Sequence, residues 1–420
     1  MIISNKEKTF QEVPASSDRA RVLMVSPFLP SFPGAGGPAR TYCLSRELSK
    51  WYQFGFVGSE AFASSPRAVE IARGLFSPFI LSALTEPRPA LPRGPIQRLI
   101  RILTSPPPQF LTLEPWRRAL SVEFERLVAE WRPGLVEIQE SVTIPWLGTK
   151  KLEVPLVITA HNLLHRLALR QAWLRGRWRD RLREMYWAWR LKRWELNSFR
   201  QASHIVVVSE LEATALDRLL GGSVPISVVP NGVDVGYFST EKRGDPKRLL
   251  FTGHMGYQPN QEAVYYFASE ILPRVRRTVP GVTFSVVGMC GDEKLRKWAD
   301  EFGFEAVGQV DDMRPYLESS GIVVVPLRSG AGTRLKILEA LSMRRAVVST
   351  SLGAEGLSCV SGDNLVLADS PVGFAGAILD LIRSDECREK LGAAGRLLVE
   401  RSYDWSVISP KLEKVYQSLL

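Results

Sequence analysis

The sequence predicts an α/β protein of two domains, each a parallel sheet flanked by helices, which face each other across a cleft. At 420 residues the chain exceeds what one ordinary hydrophobic core holds, and two such domains fit its length. Short apolar segments typical of buried strands alternate with helical patterns in each half, which favours parallel sheets with right-handed crossovers. A polar run at residues 239–247 separates the halves and is expected to be the domain linker.

The first half begins with a polar extension at residues 1–19, and its domain is expected to span residues 20–238. Apolar runs bounded by turn-forming residues predict strands at residues 21–26, 135–139, 155–160, 204–209 and 226–230. Helical patterns predict helices at residues 39–50, 118–131, 166–200 and 210–220. Residues 77–109 are rich in proline and are expected to form loops and short helices.

The second half repeats the alternation over a domain expected to span residues 239–405. Strands are predicted at residues 248–252, 283–288, 305–307, 322–326, 346–350 and 364–367. Helices are predicted at residues 261–279, 292–302, 313–319, 334–343, 371–383 and 386–400. A last helix at residues 406–420 has no obvious strand to cover.

Glycine and polar residues follow two strands of the first half. The loop after the first strand contains Gly36 and Gly37, where the missing side chains would let the backbone approach a ligand closely. Strand, glycine loop and helix is the opening of a nucleotide-handling unit; there is no GxGxxG fingerprint, and a plain turn stays open as the alternative. His161 and Asn162 directly follow the strand at residues 155–160, at the edge where open α/β sheets bind ligands.

A second glycine loop, with Gly330 and Gly332, leads into a helix in the second half. Free N–H groups at a helix N-terminus carry partial positive charge and suit an anion such as phosphate. Arg334 and Lys336 add full charges in the opening turn on different faces, and a solvent-facing Arg334 stays an alternative. Glu339 lies three residues after Lys336, so an ion pair on a surface helix is the alternative to a ligand contact there.

The positive charge of the chain is concentrated in residues 166–200. Eleven arginines and lysines face three acidic residues there, so this segment accounts for most of the formal net charge of +10. Five tryptophans interleave with the basic residues, which is typical of a segment lying on an anionic membrane surface. The alternative is a solvated helix whose tryptophans fill the core of the first domain, and both can hold on different faces.

Composition also bears on the compartment of the protein. No stretch approaches 18 apolar residues, and residues 1–19 lack the apolar run of a signal peptide. We therefore expect a cytoplasmic protein, peripheral on the inner membrane face. Four widely spaced cysteines predict buried thiols in a reducing compartment, with neither a disulfide framework nor a zinc site: Cys43, Cys290, Cys359 and Cys387.

Seven segments, taken together and in this order, resemble the group 1 (family 4, retaining) glycosyltransferases of the GT-B architecture over nearly the full length of the chain. They are the glycine loop at 34–37, ITAHN at 158–162, VVVSE at 206–210, VVPNGVD at 228–234, LLFTGHMGYQPN at 249–260, VVPLRSGAGTRLKILEALSM at 324–343 and STSLGAEGL at 349–357. The GxMxYxPN and GxGxRLKxLEAL patterns are similar to the branch that assembles bacterial polysaccharides. The resemblance implies two Rossmann-like domains and a nucleotide-sugar donor, UDP- or GDP-linked, whose sugar passes with retention to a lipid-linked or polysaccharide acceptor.

The resemblance also implies roles for individual residues, and no metal or further cofactor. Glu339 would bind the ribose hydroxyls, and His161 would lie beside the donor sugar as the catalytic candidate. The donor phosphates would be held by Gly36, Gly37, Gly330, Gly332, Arg334 and Lys336, and further donor or acceptor contacts are expected from Asn162, His254, Asn260 and Glu355.

The sequence departs from the family pattern at two places. Ala331 occupies the position of the first of two glutamates, so a contact to the donor sugar is absent or made by backbone. His254 and Asn260 stand where many members place an arginine and a lysine, so phosphate binding depends more on Arg334 and Lys336.

Two other functions remain open from the sequence. One is a nucleotide-sugar epimerase with the same two-domain plan, although the PNGVD and LKILEAL segments favour a transferase. The other is a nucleic-acid-binding protein that uses residues 166–200, although no RRM, KH or helix-turn-helix signature supports it.

Overall fold

The computed structural model describes residues 19–34, 36–60, 66–82, 117–147, 152–173, 177–288, 293–330 and 334–420. These residues confirm the two predicted α/β domains, each with an all-parallel sheet. Every described strand pairs in parallel because helices connect the strands and cover both faces of each sheet.

The first domain has seven strands in the order β3-β2-β1-β4-β5-β6-β7. The strands are β1 (Ala20–Ser26), β2 (Tyr52–Ser59), β3 (Phe79–Ser82), β4 (Leu135–Gln139), β5 (Leu156–Ala160), β6 (His204–Val207) and β7 (Ile226–Val228). The helices are α1 (Gly36–Leu48), α2 (Pro66–Leu75), α3 (Arg117–Trp131), α4 (Leu164–Trp173), α5 (Trp178–Phe199) and α6 (Glu210–Leu220), with a 3-10 turn at Ser141–Trp146.

The second domain has six strands in the order β10-β9-β8-β11-β12-β13. The strands are β8 (Asp245–Thr252), β9 (Thr283–Val287), β10 (Glu305–Gly308), β11 (Ser320–Val325), β12 (Ala346–Ser349) and β13 (Val366–Leu367). The helices are α7 (Gln258–Tyr266), α8 (Leu272–Thr278), α9 (Glu293–Phe302), α10 (Arg314–Ser319), α11 (Leu335–Ser342), α12 (Pro371–Arg383), α13 (Asp385–Ser402) and α14 (Trp405–Gln417), and a π-helical segment, Phe267–Ile271, joins α7 to α8.

Strand order reverses once in each sheet, between β1 and β4 in the first and between β8 and β11 in the second. Connections leave in opposite directions at such a point, so a crevice opens at the carboxyl ends of the central strands. The predicted site residues follow these strand ends. His161 follows β5, His254 follows β8, and Gly330 lies in the loop after β11.

Three details of the sequence-based fold prediction need correction. The strands β2 and β3 and the helix α2 were missed, because two glycines interrupt the pattern of β2, β3 has only four residues and α2 buries only two side chains. Residues 166–200 form two packed helices, α4 and α5, and not one helix. Packing them together buries an apolar face of each, which one straight helix could not do. The strand β8 begins at Asp245, inside the run predicted as linker.

The last helix, α14, packs against the first domain although it follows the second in sequence. It lies against α1, and the Tyr416 ring meets the Tyr52 ring edge-on with centroids 5.2 Å apart. The Tyr416 hydroxyl donates a hydrogen bond to Glu137 in β4. The helix that had no strand to cover therefore closes one face of the first sheet.

The cysteine prediction is wrong for one residue. Cys43 is buried and Cys359 is partly buried, but Cys387 is exposed near the start of α13; Cys290 lies outside the described residues. In the described part of the chain, no helix is long and apolar enough to cross a membrane. No cluster of three or more His, Cys, Asp or Glu side chains among the same residues is arranged to hold a metal ion.

Candidate functional site

The glycine loops of the two domains meet across the cleft. A Cβ atom added to Gly36, the first residue of α1, would lie 3.6 Å from the Leu335 side chain, the first residue of α11. A Cβ atom on Gly356, after β12, would lie 3.7 Å from Ser209, after β6. The N-termini of α1 and α11 therefore lie on opposite walls of one crevice, as the sequence led us to expect.

His161 is held as a neutral ring at the first wall of this crevice. It is 7% exposed, and its Nε2 lies 2.8 Å from the Gln139 side-chain oxygen. Burial, with a smaller contribution from nearby Arg40, lowers the pKa of His161 to about 3. The ring is therefore uncharged at neutral pH and offers one donor and one acceptor nitrogen.

Gly37 and Phe28 complete the surroundings of His161. The Phe28 ring meets the imidazole edge-on, with centroids 5.5 Å apart. A Cβ atom on Gly37 would lie 3.0 Å from the far end of that ring, so glycine leaves the space that Phe28 occupies. Asn162 follows His161 at the same sheet edge and is partly exposed.

Glu140, which was not among the residues predicted from the sequence, contacts the backbone of His161. Its φ is +69°, a left-handed conformation that costs a non-glycine residue free energy and often marks functional sites. The backbone N–H of His161 donates to the Glu140 carboxyl, whose Oε2 has no hydrogen-bond partner among the described residues. Burial, reinforced by Glu195 and Glu212, raises the pKa of Glu140 well above its ordinary value. In the sequence it resembles any acid after a strand, so no signal could have identified it.

Arg334 immediately precedes α11 and is buried, so the solvent-facing alternative is wrong. Burial lowers its pKa, while Tyr257 and Glu355 act in the opposite direction. Gly330 has a φ of +110°, which favours glycine, and a Cβ atom there would lie 3.1 Å from the Arg334 guanidinium. Gly332 lies outside the described residues, so its contact with phosphate stays a prediction.

Lys336 and Glu339 share α11 but do not form the ion pair of a surface helix. Lys336 Nζ instead donates to Asn260 Oδ1 at 3.0 Å and lies 3.9 Å from the centre of the Phe251 ring. Burial, with help from Arg334, lowers the pKa of Lys336 to about 7. Burial also raises the pKa of Glu339 to about 7, against the opposing effect of Lys336. A phosphate beside Lys336 and hydroxyls beside Glu339 would each favour the charged form that burial now disfavours.

The remaining candidate residues of the second domain differ in their exposure and in their hydrogen-bond and ion-pair partners. His254 is exposed, two residues after the end of β8. Asn260 is buried, and its amide donates to the His254 backbone oxygen at 2.9 Å while its oxygen accepts from Lys336. Glu355 forms an ion pair with Arg170 of α4. Asn260 and Glu355 therefore support other groups of the site, and their contacts with a ligand stay predictions.

Arg170 links the two walls and was missed as a site residue. Its guanidinium donates to the Gly330 carbonyl at 2.7 Å and to the two Glu355 carboxylate oxygens at 3.0 and 3.3 Å. In the sequence it is only one of many basic residues between positions 166 and 200. Its place beside the second glycine loop depends on how the two domains pack, which no local pattern reports.

The basic segment divides into a core face and an exposed face, and its contact with a membrane stays a prediction. Leu191 and Phe199 of α5 are buried in the first domain. Three tryptophans are more than half exposed, and each has an arginine stacked on it. The pairs are Arg181 with Trp173, Arg179 with Trp178 and Arg193 with Trp189, with 5.2–5.4 Å between guanidinium carbon and ring centre.

Comparison with known proteins identifies two family models in this chain. Residues 72–237 match the model described as Glycosyltransferase Family 4, and residues 246–384 match the model described as Glycosyl transferases group 1. Among curated proteins, the chain is 31% identical over 206 residues to the phosphatidyl-myo-inositol mannosyltransferase of Mycobacterium tuberculosis strain H37Rv. That match covers 46% of this chain and 53% of the relative, so the chain spans about half the length of the curated relatives it matches.

Two solved structures share the fold over almost the whole chain. Sucrose-phosphate synthase from Thermosynechococcus elongatus superposes with a TM-score of 0.69 at 15% identity, covering 96% of this chain and 99% of that one. Anabaena HepE in complex with UDP superposes with a TM-score of 0.63 at 14% identity, covering 95% and 100%. At these identities the likeness establishes the two-domain fold.

Proposed function

This chain belongs to the group 1, family 4 glycosyltransferases, and we propose that it moves a sugar from a nucleotide-sugar donor to an acceptor at the crevice between its domains. One observation carries the proposal. Lys336 and Glu339, three residues apart on α11, are both held by burial at pKa values near 7 beside the loop that contains Gly330. This pairing suits a ligand with a phosphate and a vicinal diol in fixed relation, as in a nucleoside diphosphate.

The donor in this proposal is a UDP- or GDP-sugar. The UDP complex of the similar Anabaena structure supports a uridine donor. Lys336, Arg334 and the positive end of α11 would bind the diphosphate, and Glu339 would bind the ribose. Because position 331 is an alanine, contacts to the donor sugar would come from backbone groups and from the first domain.

The acceptor in this proposal is lipid-linked or a growing polysaccharide. The name of the mycobacterial relative, a mannosyltransferase acting on phosphatidyl-myo-inositol, supports a lipid-linked hydroxyl. The matched models and relatives are transferases, so the epimerase and nucleic-acid alternatives have no observation in their favour.

In the proposed reaction, the bond between the anomeric carbon and the phosphate oxygen breaks while the acceptor oxygen bonds to that carbon, and the proton of the acceptor hydroxyl passes to the departing diphosphate. Negative charge grows on the departing diphosphate, and an oxocarbenium-like sugar forms in the transition state. Lys336 and Arg334 would stabilise the departing charge. His161, neutral and at the opposite wall, would orient the sugar, and the product would keep the donor's anomeric configuration.

A thermal-shift screen against nucleotide-sugars tests this function. A ligand that binds only the folded protein at 100 times its Kd stabilises it by about 2.7 kcal/mol. We expect UDP- or GDP-sugars to raise the melting temperature and free hexoses to leave it unchanged. The donor found in this way, radiolabelled in the sugar, should then label the glycolipids of a bacterial lipid extract. Interconversion of the donor without any transfer would contradict the proposal.

We also propose that the exposed face of α4 and α5 rests on an anionic membrane, where a lipid-linked acceptor would lie. Trp173, Trp178, Trp189 and Leu182 are all more than half exposed on these two helices. Indole rings settle at the boundary between headgroups and acyl chains, and the arginines around them attract anionic headgroups. Each basic residue near such a surface contributes roughly 1 kcal/mol of binding free energy.

Reversing Arg179, Arg183 and Arg193 to glutamate is expected to weaken vesicle binding at least about a hundredfold. The measurement is flotation with vesicles of phosphatidylglycerol and phosphatidylcholine. The matched control reverses three exposed arginines of the second domain, Arg243, Arg248 and Arg277, and makes the same change in net charge. The control should float like the wild type, and equal loss in both variants would contradict a specific docking face.

A further inference from the structure

A chain of buried hydrogen bonds runs from the last helix to His161. The Tyr416 hydroxyl of α14 donates to Glu137 Oε2 in β4. Glu137 Oε1 accepts from the Thr159 hydroxyl at 2.6 Å and from the Gln139 amide nitrogen at 2.7 Å. The Gln139 oxygen then meets His161 Nε2 at 2.8 Å. The chain thus joins two residues that lie far apart in the sequence.

The polarity of this chain follows from the chemistry of its members. Burial, with the neighbouring Glu137, raises the pKa of Tyr416 well above its ordinary value, so its hydroxyl keeps the proton and donates. With three donors directed at its two oxygens, Glu137 acts only as an acceptor. Gln139 must therefore point its NH₂ group at Glu137 and its oxygen at His161. That oxygen can only accept, so Nε2 of His161 must carry the ring proton.

Because its members are buried, this hydrogen-bond chain has only one favourable arrangement. Tyr416, Glu137, Gln139 and Thr159 are each at most 2% exposed, so water competes for none of the bonds. A flipped Gln139 would place its oxygen against the Glu137 carboxylate and lose the hydrogen bond there, even if His161 changed its tautomer to accept from the Gln139 NH₂ group. In a low-dielectric interior such a loss is costly, so one orientation is strongly preferred.

We propose that Tyr416 is a positioning residue which, through Glu137 and Gln139, fixes His161 in the Nε2–H tautomer and leaves Nδ1 as its acceptor for a hydroxyl. The tautomer of His161 itself depends only on the buried chain of hydrogen bonds. Its use in sugar transfer rests on the function proposed above. The last helix thereby contributes to the first wall of the crevice, although it follows the second domain in sequence.

The test compares Tyr416→Phe with the wild type by proton–nitrogen correlation NMR of the four histidines. The wild type should show His161 protonated at Nε2. In Tyr416→Phe, Glu137 loses one of the three donors that hold its carboxylate in place, so the carboxylate can turn away from Gln139, Gln139 can flip and Nδ1–H imidazole should appear. Glu137→Gln, which can donate as well as accept, should show the same mixture. With the donor found by thermal shift, kcat of Tyr416→Phe should fall at least about tenfold with unchanged affinity for the nucleotide.

The matched control is Tyr403→Phe, which removes another buried hydroxyl, the acceptor of the Ser358 N–H at 2.7 Å, without touching the chain. It should leave the His161 tautomer and kcat unchanged. An Nδ1–H wild type, or a wild-type spectrum in both Tyr416→Phe and Glu137→Gln, would overturn the proposal. A changed tautomer with normal turnover would support the hydrogen-bond chain from Tyr416 to His161 but contradict the role of His161 in sugar transfer.

Discussion

Replacing Glu339 with alanine is expected to weaken binding of UDP or GDP by about ten- to a hundredfold. A hydrogen bond to a charged group contributes about 1.5–3 kcal/mol, and a carboxylate can accept from both hydroxyls of a ribose. Burial has already raised the pKa of Glu339 to about 7, so the side chain loses solvation in advance of binding. Isothermal titration calorimetry with the nucleotide measures the change in Kd.

The nucleotide itself supplies the sharpest control for this prediction. The wild type should bind the 2′,3′-dideoxy nucleotide more weakly than the ribonucleotide, and Glu339→Ala should bind both equally. Glu386→Ala, at an exposed position in α13, should behave like the wild type. If Glu339→Ala still distinguishes the two nucleotides, the assignment of Glu339 to the ribose is wrong.

Replacing His161 with alanine is expected to lower turnover by roughly a hundredfold, because misplacing a bound reactant by about 1 Å has an effect of that size. The affinity for the nucleotide should change little, since its binding groups lie on the opposite wall. Release of nucleoside diphosphate from the donor, followed at saturating concentration, gives kcat. Calorimetry with the nucleotide gives the affinity separately.

His204 offers a matched control in the same sheet. It begins β6, so it lies at the edge opposite the carboxyl ends, and its Nε2 lies 2.9 Å from the Ser227 hydroxyl. His204→Ala should keep normal turnover. Equal turnover of His161→Ala and the wild type would remove His161 from the reaction, and loss of turnover in both variants would point to general damage to the first domain.

Much of the site could be predicted because its residues follow strands or begin helices. A buried parallel strand reads as a short apolar run, and the residues after it must lie at the ligand-binding edge. His161 and the loop of Gly330 follow such strands, so both are expected at the crevice. The closeness of Lys336 and Glu339 on one helix could also be predicted, since residues three apart are neighbours on a helix surface.

Other features could not be predicted because they depend on burial. A sequence pattern marks Arg334 and Lys336 only as charges at a helix start, where solvent exposure is the ordinary outcome. In the folded chain both lose solvation, and the pKa of Lys336 falls to about 7. The positive φ of Glu140, directly after the last paired residue of β4, likewise has no counterpart in residue type.

By itself, then, the sequence determined the two parallel-sheet domains, the family and the strand ends where a site must lie. These properties are local, since each follows from residues within one strand, loop or helix. Only the tertiary structure decided that Arg170 reaches Gly330 and that Tyr416 reaches Glu137. The partners in these bonds are 160 and 279 residues apart along the chain, so the packing of whole domains and of the last helix determines their contact.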